Sequence, residues 1–426
     1  MIKVKFLYIS FFVLIFLIGC SAPETAMNPE SQGSSKELTV WHIESGAAAE
    51  KTLENAAKRF EEKNPGVTVN VVKQENDPYK SKLAVAMGGG NPPDVFHSWG
   101  GGWLENFVNS GQVKEITNDI DKENYLEAAI SAATYDGKIY GAPLAMDVVP
   151  VWYNKKIFEE YNLKEPKTYE ELLEVVETLK SNNIIPFSLA NQSKWPGAFY
   201  LMYFAERYGG TELFNEAYGR AGRAFDDEAY IKAGRKIQEL VKAGAFPEGM
   251  NGLNFDTGQS RQLLYTGKAG MELMGSWMLG LTRSEFPEFE ENLGFFLFPA
   301  ISGEQGAENH IVGGVSPVFS VAEKSPNADL AAELVKELTS VETAQQLANT
   351  DGAISAVNGV EYEDEFIQEI NEVLEGAENM QTYYDQTLPP ELAEVHLDTT
   401  QGLFGLSITP EEAAAQVEKK AKELLE

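Results

Sequence analysis

Cysteine is almost absent from this chain. Cys20 is the only one in 426 residues, so the body has no disulfide, no thiol nucleophile and no thiolate metal site. Positive charge is scarce as well: 34 Lys and Arg stand against 65 Asp and Glu, a formal charge of −31. Nucleic acid is thereby excluded as a partner, since its phosphates demand a basic surface. An anionic ligand is disfavoured unless a local basic pocket overrides the overall field. Only four histidines occur, His42, His97, His310 and His396, at spacings unlike a metal site. The chain lacks G-x-S-x-G, H-E-x-x-H and EF-hand patterns, and its glycine clusters at residues 88–90 and 100–102 fit neither phosphate-loop pattern. The apolar run at residues 6–18 holds 13 residues, too short for the ~20 that a helix needs to cross a bilayer.

Lys3 and Lys5 precede that run, so residues 1–19 read as a signal segment and not as a permanent span. The closing Leu17-Ile18-Gly19-Cys20 resembles the lipobox of bacterial lipoproteins, which implies that Cys20 is acylated and becomes the first mature residue. The alternative is a plain secretory signal, for which no A-x-A site offers a better boundary. Residues 20–36 are rich in Ser, Pro, Glu and Gly and read as a disordered tether. The expected location is the extracellular face of a cell membrane, held by lipid. Tethering without a separate soluble periplasm points to a Gram-positive cell.

About 390 residues remain, above the ~250–300 at which one core stops growing, so two lobes are expected. Residues 38–43 (LTVWHI) read as a strand, 47–63 as a helix with Leu53, Ala56, Ala57 and Phe60 on one face, and 67–72 as an alternating strand. Further helices are expected at residues 79–87, 154–161, 168–181 with Thr168 as cap and Glu171 three residues on, 196–208, 227–243 and 258–266. Strands are expected at 94–97, 184–189, 269–274, 293–298 and 315–321, with mostly helix from residue 327 onward. This α/β order places ligand sites at the carboxyl ends of strands.

The motifs LTVWHIESG, NPPDVFHSWGGGWLENF, APLAMDVVPVWYNKKIFEE, TGKAGMELMGSWMLG and VGGVSPVFSVAEKS occur in this order and spacing. Together they resemble the extracellular solute-binding proteins of bacterial carbohydrate ABC importers, of the maltose-binding kind. SWGGG with residues 383–390 (YYDQTLPP) is similar to the subgroup for raffinose-type or xylo-oligosaccharides. The resemblance implies a type II two-lobed α/β fold with three crossing segments near residues 147–153, 275–277 and 315–321 acting as a hinge. It implies lobe 1 at residues 37–147 plus 269–319 and lobe 2 at 148–268 plus 320–426. It also implies a monomer that captures a neutral oligosaccharide and delivers it to the membrane permease subunits of a transporter, reaching the ATPase only through them. Neither a cofactor nor a metal is expected.

A neutral sugar offers apolar C–H faces and a ring of hydroxyls, so its pocket needs aromatic platforms and fixed polar groups. Trp99, Trp195, Trp277 and Tyr383 are the expected platforms. His42, Glu44, Ser98, Asp147, Asn191, Lys194, Asp385 and Gln386 are the expected polar contacts, Asp147 because it matches the family's sugar-binding carboxylate. Five have a structural alternative: core packing for Trp99 and Trp277, interlobe packing for Trp195, a turn cap for Asp385, a satisfied hydrogen bond for His42. Gly313 and Gly314 read as hinge geometry. Pro150, which cannot donate to a sheet, puts strand pairing at the first crossing in doubt. The competing functions are a binder of peptide, polyamine or metal chelate, a secreted glycosidase, and a lipid-anchored surface protein. With 65 carboxylates, acid pairs carry no information toward a glycosidase unless their separation is known.

Overall fold

The computed structural model describes residues 36–426. The signal segment, Cys20 and all but the last residue of the tether lie outside these residues. In chain order the strands are β1 (Lys36–His42), β2 (Val67–Lys73), β3 (Val95–Ser98), β4 (Thr134–Tyr135), β5 (Lys138–Ile139), β6 (Ala142–Pro143), β7 (Ala145–Val148), β8 (Val151–Asn154) and β9 (Ile185–Ser188). They continue as β10 (Ala269–Leu273), β11 (Leu293–Phe296), β12 (His310–Val315), β13 (Val318–Val321), β14 (Ile354–Ser355) and β15 (Asn379–Thr382).

Three sheets organise the molecule. The first lobe is built on β2-β1-β3-β13-β6, with β1 parallel to β2 and β3 and with β13 antiparallel to β3. The second lobe is built on β11-β8-β10-β9. Between them, β14-β7-β12-β15 forms a short sheet through which the chain passes from one lobe to the other. This is the two-lobed α/β arrangement expected, but the chain is divided differently. β10 and β11, expected in lobe 1, pair with β8 and β9 in the second lobe's sheet. The helices Ala328–Leu338 and Val341–Asp351, expected in lobe 2, pack on Ala47–Lys63 in the first lobe's core. Both departures come from strands that return over long sequence separations, which local periodicity does not encode.

Local chemistry explains most helix boundaries. The helix Ala47–Lys63 buries Leu53, Ala56, Ala57 and Phe60, the face expected from their spacing. The helix Tyr169–Ser181 starts at a capping box in which Thr168 and Glu171 satisfy each other's backbone. Asn154 caps Lys155–Glu160 by accepting from the Ile157 N–H at 3.3 Å. Pro150 falls between β7 and β8, where no ladder donor is required. The single strand expected at residues 315–321 is two strands, interrupted at Ser316-Pro317.

Trp195–Gly209 is the central helix of the second lobe and is buried along nearly all of its length. Three buried ionisable side chains belong to this lobe. Arg207 is fully buried and donates to the carbonyls of Phe298, Pro299 and His310 while pairing with Glu206. Glu272 on β10 is 1% exposed, accepts from Ser188 Oγ at 2.9 Å, and leaves its Oε1 without a partner. Burial pushes its pKa up to about 7.

Candidate functional site: the interlobe cleft

A cleft with a cavity volume of about 920 Å³ opens between the lobes. Of the expected residues, Glu44, Trp99, Asp147, Lys194, Trp195, Trp277, Tyr383, Asp385 and Gln386 line it. Three do not. His42 is 2% exposed, and its Nδ1 accepts the Glu44 N–H at 3.2 Å. Ser98 is fully buried and donates to the Val318 carbonyl at 3.1 Å. Asn191 is also fully buried, accepting from Gly197 N–H at 3.1 Å and donating to Asn251 Oδ1 at 2.7 Å. These three hold the walls of the cleft from behind.

The aromatic residues form two groups. On the first-lobe side, His97, Trp99, Trp103 and Phe107 run edge to face, with successive centroids 4.9, 5.2 and 5.0 Å apart. Lys80 Nζ sits 5.0 Å from the Trp99 ring centroid and 2.8 Å from Asp385. On the second-lobe side, Trp195 and Trp277 meet at 6.0 Å, and Phe199 lies 5.4 Å from Tyr383. Lys194 holds φ +68°, costly for a residue with a Cβ, and so starts the helix with Trp195 in the cleft wall. Gly314 is required by Tyr383, because a Cβ there would collide with the phenol ring; a Cβ on Gly313 would meet the Asp147 carbonyl. The close approach of β7, β12 and Tyr383 therefore accounts for both glycines.

The polar side of the cleft is dominated by carboxyls that lack cations. Asp147 is 8% exposed and accepts from Ser276 Oγ at 3.0 Å; burial pushes its pKa up to about 7. Burial, with the charges of Asp351 and Asp147, pushes Glu44 up to about 8. Asp351 rises to about 6, again chiefly by burial. His97 is fully buried at 3.6 Å from Glu44 Oε1, and burial lowers its pKa to about 3, so it is neutral.

Four buried polar atoms without a hydrogen-bond partner belong to residues that line this cleft: His97 Nδ1, Trp195 Nε1, Asp351 Oδ1 and Tyr383 OH. Such atoms are rare in folded proteins and call for a partner. His97 and Asp351 were missed in the sequence. His97 had a signal, since period-two alternation in the strand expected at residues 94–97 puts it on the opposite face from its neighbour Ser98. Asp351, far along the chain at the end of a helix, had none.

At the mouth the lobes touch. Asp77, on the first-lobe helix Asn76–Gly89, accepts from Ser193 Oγ at 2.5 Å and Asn254 Nδ2 at 3.3 Å, and its N–H donates to Asp256 Oδ2 at 3.2 Å.

Known proteins share this architecture. The multiple sugar-binding protein of Streptococcus mutans is 26% identical over 347 residues, covering 78% of each chain. The galactooligosaccharide-binding protein of Bacillus subtilis is 27% identical over 337 residues, covering 76% of this chain and 73% of its own. A structure solved in work on xylan utilization by Caldanaerobius polysaccharolyticus superposes with a TM-score of 0.84 at 29% identity, covering 90% of this chain and 99% of the other. The bacterial extracellular solute-binding protein family, a binding family and not an enzyme family, matches residues 45–345, most of the chain. The protein is therefore a member of the bacterial extracellular solute-binding protein family.

Proposed function

We propose that the protein is the substrate-binding component of a carbohydrate ABC importer, taking an oligosaccharide into the interlobe cleft and handing it to the membrane permease. The observation that carries this reading is the pairing of aromatic walls with unpartnered polar atoms in one cleft of about 920 Å³. Trp195, Trp277 and Tyr383 supply flat apolar surface for the C–H faces of sugar rings. Asp147, Glu44, Asp385 and Gln386 supply acceptors and donors for hydroxyls. A wrong sugar leaves a buried carboxyl unpaired, which costs affinity and gives selectivity. The relatives named for sugar, and the structure from xylan work, support the same class of ligand.

Closure follows from the same layout. The lobes meet at Asp77, so a sugar between them is enclosed, and its differential affinity for the closed form shifts the population toward it. Among the described residues no helix is long and apolar enough to cross a membrane. Membrane attachment is assigned to a lipid on Cys20, outside the described residues. The variant Cys20→Ser then partitions to the medium, and a variant still retained at the membrane removes the anchor.

Thermal-shift screening of raffinose-type, xylo-, malto- and gluco-oligosaccharides tests the binding role, because a ligand that binds only the folded state raises the melting point. At least one series stabilises the protein. If no carbohydrate does so while a peptide or polyamine does, the sugar reading fails.

A further inference from the structure

Trp99 has the chemistry of a sugar platform but not the exposure. Trp195 and Trp277 are half-buried, whereas Trp99 is 8% exposed. It meets Tyr79, His97 and Trp103 edge to face, at centroid distances of 5.9, 4.9 and 5.2 Å. Over its ring lies the Lys80 ammonium, 5.0 Å from the centroid. The same nitrogen donates to Asp385 Oδ2 at 2.8 Å, so a single atom marks the point where indole and carboxylate converge.

Backbone packing holds that convergence in place. Asp385 stands on the short helix Tyr384–Thr387, which is anchored in the second lobe, where Tyr384 stacks on Phe214 with centroids 4.2 Å apart. On the first-lobe side the carbonyls of Gln386 and Thr387 abut Gly101 and Gly102, and a Cβ on either glycine would collide with them. These glycines open the helix Gly101–Asn109, just after Trp99. The SWGGG and YYDQTLPP segments therefore meet in space, and Lys80 fills the place between Trp99 of one and Asp385 of the other. Of the four cations lining the cleft, Lys80 alone pairs across to the other lobe. Lys73 pairs with Glu50 in the first lobe, and Arg261 with Glu285 and Lys194 with Glu394 and Asp398 in the second.

We infer that Trp99 and Asp385 form a sugar subsite which the protein fills with its own Lys80 ammonium, so that oligosaccharide and Lys80 compete for one place in the cleft. An aromatic face beside a carboxylate suits a pyranose ring, which lays C–H groups on the indole and gives hydroxyls to the acid. An ammonium satisfies the same pair, by cation–π attraction and a charge-assisted hydrogen bond. Sugar ring and ammonium cannot both lie over one indole face. Lys80 is half-buried on the helix Asn76–Gly89, and its flexible four-carbon stem lets the ammonium swing away. A ligand has to displace it, and apparent affinity falls with the fraction of time the place stands open. Lys80 thereby sets selectivity: a sugar whose hydroxyls replace its bond to Asp385 gains the subsite, and others do not. The inference rests on the oligosaccharide reading above and deepens it.

Calorimetry near neutral pH compares the parent with Lys80→Ala and Lys80→Arg, using raffinose-type, xylo-, malto- and gluco-oligosaccharides. At least one series binds Lys80→Ala about tenfold more tightly, the gain expected if the place stands open about a tenth of the time in the parent. Lys80→Arg keeps a cation for the indole and the carboxylate and shows no gain. Adding Asp385→Ala to Lys80→Ala cancels the gain. Melting temperatures check that each variant folds, and Lys80→Ser serves if Lys80→Ala does not. Removing a cation that only braced the lobes, or that touched the sugar directly, would weaken binding instead. Affinity unchanged or lower in Lys80→Ala for every sugar, or an equal gain in Lys80→Arg, overturns the inference and leaves the oligosaccharide reading standing. If no sugar binds the parent or any variant, both fall.

Discussion

Replacing Glu272 by glutamine removes a buried ionisable group while keeping its shape, and the expected effect is a change in how stability depends on pH. Glu272 is 1% exposed, and burial raises its pKa from 4.5 to about 7. The folded protein therefore holds this proton more tightly than the unfolded chain does. The stabilisation is complete below the unfolded value of 4.5 and is lost as pH rises through about 7. A shift of this size corresponds to about 3 kcal/mol between pH ~5 and ~8. With an unfolding entropy of about 2 cal/mol/K per residue over ~390 residues, that is about 4 °C in melting temperature when the lobes melt together. Calorimetric melting of both proteins at several pH values measures the gap. The amide introduced by Glu272→Gln carries N–H groups that need a partner, but this cost is independent of pH and shifts the whole curve. The gap between the two melting temperatures thus moves by about 4 °C in favour of the variant as pH rises. Parallel curves would falsify the assignment of a buried, proton-holding Glu272. Glu44, Asp147 and Asp351 have the same sign but are common to both proteins, so they cancel in the difference.

Two further outcomes test the cleft itself. Trp277→Ala weakens the bound oligosaccharide about tenfold or more in calorimetry, since a sugar face stacked on indole removes roughly 60 Å² of apolar surface from water, about 1.5 kcal/mol; unchanged affinity takes Trp277 out of the site. Asp77→Ala loses the hydrogen bonds across the mouth to Ser193 and Asn254, so solution scattering of the unliganded variant gives a larger radius of gyration than the parent. Identical scattering curves would show that these contacts do not hold the lobes together.

Much of the fold could be read locally. The helices Ala47–Lys63 and Tyr169–Ser181 announce themselves through apolar spacing and the Thr168 cap, and Glu228–Ala243 was expected one residue early, at Asp227, which instead caps it. The lobe boundaries were not legible, because whether β11 turns back to β8 or crosses to the first lobe depends on pairing with a strand far back in the chain, as between Leu293 and Asn154, about which neither strand's own sequence speaks. In the cleft, tryptophans beside glycines and the carboxylate at the first crossing were visible. His42 and Ser98 were misplaced because the strand register decides which neighbour faces the cleft, and a one-residue error exchanges Ser98 for His97. Asp351 takes its place in the cleft wall by packing against Gly46 and Gly280, each far away in sequence.

The indole of Trp152 gives the connections between lobes a mechanical character. Its N–H reaches the carbonyls of Met274 and Gly275 at 2.9 and 3.3 Å, Ser276 N–H reaches the Val148 carbonyl at 2.8 Å, and β7 is laddered to β12 from Val148↔Gly313 to Met146↔Val315. The strands passing between lobes are thus riveted to one another at a single place, so a swing of the lobes would turn them together on a common axle instead of bending them as separate straps. Asp147 sits on that axle, paired across from Gly314 and held by Ser276. Points near an axle are displaced least when lobes swing, so Asp147 and Trp277, the residue after Ser276, would keep their positions relative to each other while Glu44, which follows β1 in the first lobe, would travel.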